Sequence, residues 1–389
     1  MIDVVSFCAE LIKCKSVTPD DDGALDLVAD FLASVGFETN IMFFRSPDGS
    51  NVVKNLFASF GSSSKKILGF LGHSDVVPPG DGWSTDPFEP VQQDGYLIGR
   101  GICDMKGGIG AFCCAVAKFV QKKFDGSIKI LITGDEEIGT REGIRSLLQW
   151  CRETGNMPQD CIIGEPSSEN ILGDRIYLGH RGSINIVVRS VGQQGHVAYP
   201  SNFKNSLSNV CRFVTHMLNY QWKYEDKRFP QTHLEPTMLF TNNYAQNVVP
   251  DQTSANLNIR FSADYDASIL KEILQNEAEK FDVSLEFIES GNAFYCNDEK
   301  LKSALVSSIR EVTGVDAAFS ASGGTSDGRY IVSHCNTIEF GLLDRLIHQK
   351  NEKTKLQDLL NLEKIYLRFL KKYFSIESDP LENRHEIIA

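Results

Sequence analysis

The chain has 389 residues, more than one hydrophobic core usually organises, so two domains are expected. With 42% hydrophobic and 23% charged residues, its composition is that of a globular enzyme and excludes a disordered or fibrous chain. A formal net charge of -12 without any long basic run argues against a nucleic-acid or anionic-membrane partner, and an anionic substrate would need its own local Arg or Lys.

From Asp3 to Lys13 and from Asp22 to Val35 apolar residues recur at helical spacing, and Gly36 stops the second segment. A strand over Lys66–Gly72 ends at His73-Ser74-Asp75. Met105–Val120 reads as an apolar helix, and Ser127–Thr133 as an isoleucine-rich strand ending at Asp135-Glu136-Glu137. A helix over Arg141–Cys151 follows, then a buried strand, Cys161–Ile163, ahead of Glu165-Pro166. Strands alternating with helices predict an α/β unit with a mostly parallel sheet, whose reacting groups collect at the C-terminal ends of the strands.

After Tyr177 the texture changes. Ser183–Val188 and Thr253–Phe261 alternate like half-solvated strands, with helical stretches near 203–219 and 265–280, which predicts an inserted α+β domain. A buried strand over Asn336–Phe340 and a closing helix over Thr354–Tyr373 restore the first texture. The expected division is a discontinuous unit, 1–178 and 292–376, an insert, 179–291, and a polar tail, 377–389. No apolar run approaches the roughly 20 residues of a membrane span, and no basic segment precedes an apolar one at the N-terminus. The ten cysteines are scattered without a C-x-x-C pair, as in a cytoplasmic protein with buried, reduced thiols.

Residues two apart on a strand face the same way, so His73 and Asp75 emerge together, as a metal ligand and its orienting carboxylate would. Taken alone, the pair is also compatible with a surface turn. Asp104 could cap the helix that follows it. Asp135-Glu136-Glu137 could be a solvated acidic loop, although three adjacent carboxylates repel unless solvent or a cation screens them. Glu165, at the end of a buried strand, needs either exposure or a positive partner. His348 alone would be a structural histidine. Together, one His, one Asp, two Glu and a second His supply N and O ligands for two zinc ions if one carboxylate bridges, and leave a carboxylate free to act as a base.

Ten collinear segments carry a resemblance: G-H-S-D-V-V-P-P-G (72–80), W-S-T-D-P-F-E-P (83–90), G-R-G-I-C-D-M-K-G-G (99–108), T-G-D-E-E (133–137), G-E-P-S-S (164–168), R-G-S (181–183), G-Q-Q-G-H-V-A-Y-P (192–200), N-V-V-P (247–250), S-G-G-T-S-D-G-R (322–329) and I-H-Q-K-N-E (347–352). In this order they resemble the di-zinc aminoacylase and carboxypeptidase family, and most of all a branch that removes N-succinyl groups from small amino-acid substrates. The resemblance implies a zinc-dependent exopeptidase-like catalytic domain with an inserted dimerisation or lid domain. It implies one zinc on His73, Asp104 and Glu165 and another on Asp104, Glu137 and His348, with cobalt or manganese as substitutes. Asp75 would orient His73, and Glu136 would act as the general base. His196 would reach across a homodimer interface to stabilise the oxyanion, its alternative being a hydrogen-bonded loop histidine. Arg181, Asn247, Arg260, Gly324 and Thr325 would hold substrate carboxylates, although Arg260 is also compatible with a cross-strand surface charge.

One position departs from that branch. Asp344 stands where an Asn is usual, with Arg345 as its expected neutralising neighbour. Related deacylases and peptidases of the family, such as acetylornithine deacetylase, aminoacylase or a carboxypeptidase, share the same chemistry and stay open on sequence. G-T-S-D-G (324–328), followed by Asp344 and His348, also has the chain order of a serine-hydrolase triad around Ser326, though small polar residues precede it instead of an apolar strand.

Overall fold

A computed structural model describes residues 2–45, 52–62, 65–138, 142–324 and 326–376. Thr325 and the tail 377–389 lie outside the described residues. The chain forms two compact units: Met1–Leu178 with Cys296–Ser320 and Ser326–Ala389, and Gly179–Tyr295 with Ala321–Thr325.

The first unit is built on an eight-stranded sheet in the order Glu38–Arg45, Val52–Phe60, Ser127–Thr133, Ile67–His73, Asp160–Ile163, Asn336–Glu339, Arg175–Tyr177, Ala318–Ser320. Its middle, from Ser127–Thr133 to Asn336–Glu339, is parallel. Antiparallel strands widen it at the Glu38–Arg45 side, and Arg175–Tyr177 joins antiparallel on the other. The central strands are buried on both faces, which is why they read as unbroken apolar runs instead of alternating ones.

Helices cover these faces. Val4–Lys13 starts where the Asp3 carboxylate accepts from the Ser6 backbone N–H at 3.0 Å, and it buries Val4, Phe7, Cys8, Leu11 and Ile12 along one stripe. Gly107–Phe119 is buried almost all round and packs against the closing helix Leu356–Tyr373. Between them Phe70 stacks on Phe112 at 4.1 Å, with Tyr366 edge-on to Phe112 at 5.5 Å. Each such ring contributes about 1.5–3 kcal/mol by burial, and Phe70 thereby anchors the strand that ends at His73. Gly108 matters for another reason: a Cβ there would meet the Gly164 carbonyl oxygen at 2.3 Å. Only glycine lets this helix approach the backbone that leads into Glu165.

The insert is a four-stranded antiparallel sheet in the order His233–Thr241, Gln252–Phe261, Gly182–Val191, Ser284–Gly291. Helices Ser206–Leu218 and Ala267–Ala278 supply Phe213, Leu270 and Leu274 to a core with Ile184, Ile186, Leu257 and Ile259. Gln252–Phe261 alternates between buried and more exposed positions along its whole length. On the edge strand Met238, Leu239 and Phe240 are more than half exposed. The insert also takes in residues 292–295 and 321–325, which the sequence reading gave to the first unit. Phe294–Tyr295 pair with Gly179–His180, and Gly323 bridges to His180, short ladders that leave no periodic signal.

All ten cysteines are free thiols and seven are buried.

Candidate metal centre

The parallel strands deliver the cluster. His73 is the last residue of Ile67–His73, and Asp75 lies two beyond it. Glu136 and Glu137 follow Ser127–Thr133, Glu165 follows Asp160–Ile163, and His348 lies in the loop after Asn336–Glu339. Asp104 arrives from a different place. Helix Gly107–Phe119 starts three residues later with Lys106 at its cap position, and Asp104 has extended-type dihedrals (φ -126°, ψ 96°), so it does not cap that helix.

Asp104 is shared between two histidines. Its Oδ1 is 3.1 Å from His73 Nε2 and its Oδ2 is 3.3 Å from His348 Nε2. Glu165 Oε1 lies 3.6 Å from His73 Nε2, and Glu137 Oε1 lies 3.0 Å from His348 Nε2. The donor atoms of His73, Asp104 and Glu137 all fall within 4.8 Å of one another. Zinc sits about 2.0–2.2 Å from N and O ligands, so two ligands on one tetrahedral ion are about 3.4 Å apart. The pair spacings on both sides of Asp104 match that requirement.

The other His73 nitrogen is already engaged. Nδ1 is 3.0 Å from the Asp75 main-chain oxygen and 3.5 Å from its carboxylate, so it carries the proton and Nε2 is left as the donor atom. The Asp75 carboxylate itself accepts from the backbone N–H groups of Glu136 at 3.2 Å and Glu137 at 3.0 Å. One buried aspartate thus braces both the histidine and the turn that carries two glutamates.

Four carboxylates facing two imidazoles require positive charge. Burial disfavours a charged His73, yet Glu165, Asp104 and Asp75 outweigh it and hold the imidazole well above its usual range. Hydrogen bonds to Asp104 and Glu137 push His348 up to about 10. Burial acts to raise Asp104, but the two histidines keep it low. Glu165 is pushed well up by burial, against the pull of His73 and with the charges of Asp104 and Glu136 adding. Protons on the histidines meet the need partly, and divalent cations would meet it fully.

Neighbours separate what the sequence could not. In Asp135-Glu136-Glu137, Asp135 is fully buried and accepts from the Gly143 N–H at 3.0 Å, so it fastens the next helix. Asp344 is paired with Arg175, not Arg345, and the Tyr177 hydroxyl lies 3.4 Å away. Arg345 turns instead to the Asn170 side chain. Arg175 wins because its Nε is held by the Ser167 carbonyl at 2.8 Å, whereas Arg345 is exposed in a loop. The serine-hydrolase reading fails. Ser326 is buried and donates to Glu339 at 2.5 Å, while Asp344 and His348 face Arg175 and the carboxylate cluster.

Within the insert, His196 is exposed, and its Nδ1 accepts from the Ala198 N–H at 3.1 Å, which places the ring proton on Nε2; the Asn247 Nδ2, a donor as well, lies 3.4 Å from Nε2 and so does not hold that proton. Arg181 contacts His233 at 3.1 Å, its Nε meets no acceptor among the described residues, and burial lowers its pKa. Arg260 donates to Asn258 at 2.9 Å and sits in register with His233 and Ser183. Two guanidiniums therefore gather at one end of this sheet. Gly324 belongs to the same unit, with open space where a Cβ would stand.

The sequence reading missed Glu352 and Arg100. Both are buried and paired at 2.7 Å. A glutamate ending I-H-Q-K-N-E and an arginine inside G-R-G-I-C-D were both on view, but neither residue type signals burial.

A parallel-centred α/β unit that gathers two histidines around a shared carboxylate at its strand ends has the frame of a metallohydrolase. The chain belongs to peptidase family M20/M25/M40, which it matches over residues 69–372. It is 38% identical over 374 residues to a succinyl-diaminopimelate desuccinylase of Zymomonas mobilis, covering 95% of this chain and 98% of that one. With the Ehrlichia canis protein of the same name the identity is 37% over 380 residues, covering 96% and 99%. An M20-family metallo-carboxypeptidase from Sulfolobus solfataricus shares the fold, with a TM-score of 0.80 at 17% identity over 97% of this chain and 100% of that one.

Proposed function

We propose that this chain hydrolyses the amide bond of N-succinyl-LL-2,6-diaminopimelate, giving succinate and LL-2,6-diaminopimelate, a step of lysine and diaminopimelate biosynthesis. The observation that carries the chemistry is Asp104 offering one oxygen to each of two histidines, and the substrate follows from the relatives matched over nearly their full length. His73, Asp104 and Glu165 would hold one zinc ion, and Asp104, Glu137 and His348 a second. Such ions supply Lewis-acid activation of the scissile carbonyl and of the attacking water.

The chain's own groups do the rest. Glu136 takes a proton from the attacking water and returns it to the departing amine, work that suits a carboxylate held on the Asp75-braced turn. His196 donates its Nε2 proton to the developing oxyanion, and the Ala198 contact supports the tautomer this requires. Arg181, Arg260, Asn247, Gly324 and Thr325 hold the carboxylates of the substrate.

The active assembly in this reading is a homodimer in the cytoplasm, with each insert completing the site of the other copy. Exposed Met238, Leu239 and Phe240, on a strand whose outer edge has no neighbour among the described residues, support such pairing. No helix among the described residues is long and apolar enough to cross a membrane. Steady-state rates on matched N-succinyl, N-acetyl and dipeptide substrates test the assignment. A succinyl preference is expected, whereas faster turnover of the acetyl or dipeptide substrate would replace this reading with another deacylase or a peptidase.

A further inference from the structure

Glu352 lies four residues beyond His348 and is 1% exposed. A buried carboxylate demands partners, and those of Glu352 are specific. Its Oε1 accepts from the backbone N–H of Cys103 at 2.7 Å and of Asp104 at 3.3 Å. Its Oε2 accepts from the Gly101 N–H at 3.0 Å and from Arg100 Nη1 at 2.7 Å. Its main-chain oxygen takes the Gly99 N–H at 3.0 Å. One side chain thus gathers the whole non-helical run that carries Asp104, where φ is 83° at Gly101 and Asp104 is extended.

The brace reaches the His348 loop as well. Arg100 donates to the Gln349 carbonyl at 3.2 Å and to the Pro79 carbonyl at 3.3 Å, and its guanidinium lies over the Trp83 ring at 5.1 Å. The Asn351 side chain accepts from the Ser84 N–H at 2.8 Å. His348 and Asn351 both have left-handed φ, at 59° and 55°, so this loop holds a fixed and uncommon path between the histidine and Glu352. Two segments far apart in sequence, one bearing Asp104 and the other His348, are tied through a single carboxylate.

We infer that Glu352 is a positioning residue, which sets where Asp104 can bridge by clamping the 101–104 backbone to the His348 loop. It touches neither substrate nor ion. The inference rests on the proposed metal centre, and removing such an outer partner costs a metal site about 10- to 100-fold in affinity. In Glu352→Gln the amide would present N–H where the carboxylate accepts either from Arg100 or from the backbone, so one side of the clamp opens. Glu352→Asp keeps the charge but shortens the reach.

The test is zinc binding to the full-length protein stripped of metal, by calorimetric or chelator-competition titration, alongside thermal unfolding of the stripped protein. The wild type is measured first: if it binds no zinc, the metal-centre reading itself fails. If it binds two, Glu352→Gln is expected to stay folded, with a lowered unfolding midpoint because Arg100 loses its buried partner, while binding the ions about 10- to 100-fold more weakly, with Glu352→Asp in between. Folded variants with wild-type affinity would overturn the clamp and leave the metal centre standing. Failure of both variants to fold would also overturn it, because Glu352 would then hold the fold and not the bridge.

Discussion

The largest sheets of the two units present functional groups in opposite ways. In the first unit, strands buried on both faces run straight into the cluster, and His73, Asp75 and Asp104 are each less than a tenth exposed. In the insert, the half-open sheet leaves Arg181 Nε without an acceptor among the described residues, and His196 on a separate two-residue ladder and Asn247 in the loop beside it stand in the open. A dry site fixes its charges in advance, whereas an open one keeps its donors free for an incoming ligand. In the proposed reading the chemistry belongs with the buried strand ends, and the recruitment of anionic groups with the insert.

Removing the proposed base, the half-buried Glu136, should have the largest effect. Glu136→Gln keeps size and fold, so turnover is expected to fall roughly 10²- to 10⁴-fold while zinc stoichiometry stays that of wild type. Metal loss in that variant would instead make Glu136 a ligand and leave Glu137 as the candidate base.

On the open side, His196→Ala should lower kcat roughly 10²- to 10³-fold, the cost of one oxyanion donor. If the donor serves the other copy, unfolding and refolding this variant together with Glu136→Gln should restore about a quarter of wild-type activity, because about half the dimers are mixed and each has one intact site. A sample proven to contain mixed dimers, yet showing no recovery, would confine His196 to its own chain or remove it from the reaction.

Arg181→Met tests recruitment alone. A charged hydrogen bond is worth about 1.5–3 kcal/mol, so KM should rise roughly 10- to 100-fold with little change in kcat. An unchanged KM would move the carboxylate contact to Arg260.

The carboxylate–histidine cluster should also betray itself by pH. His348 holds a proton up to about 10 in the metal-free protein, and a metal must displace it. Zinc affinity is therefore expected to rise with pH, by up to about tenfold per unit for each proton released, and to fall as acid returns the protons. Titrations at several pH values check the slope, and a flat profile would mean that the histidine is already neutral.

How much of this was legible in the sequence follows from the same contrast. Unbroken apolar runs betrayed Ile67–His73 and Ser127–Thr133, and alternation betrayed Gly182–Val191 and Gln252–Phe261. Glu38–Arg45 went unread because it is only partly buried at the sheet edge, and so did the edge strand His233–Thr241, which has a proline within it. Helix Glu299–Thr313 was readable and missed: Asp298 caps it, and Leu301, Leu305 and Ile309 mark its buried stripe. Single residues could not divide Asp135 from its two neighbours, since adjacent carboxylates differ only in what their backbone lets them face. The Arg175 partner of Asp344 lies 169 positions away, a proximity no local pattern encodes.

The two histidines differ in one further respect. The His73 side chain is 2% exposed and that of His348 is 48% exposed. Ions held by such unequal neighbours would not trade places with the medium at one pace. The ion beside His348 would be the first to load and the first stripped by a chelator, and the one beside His73 would exchange last, so that a half-filled species should accumulate whenever zinc is scarce.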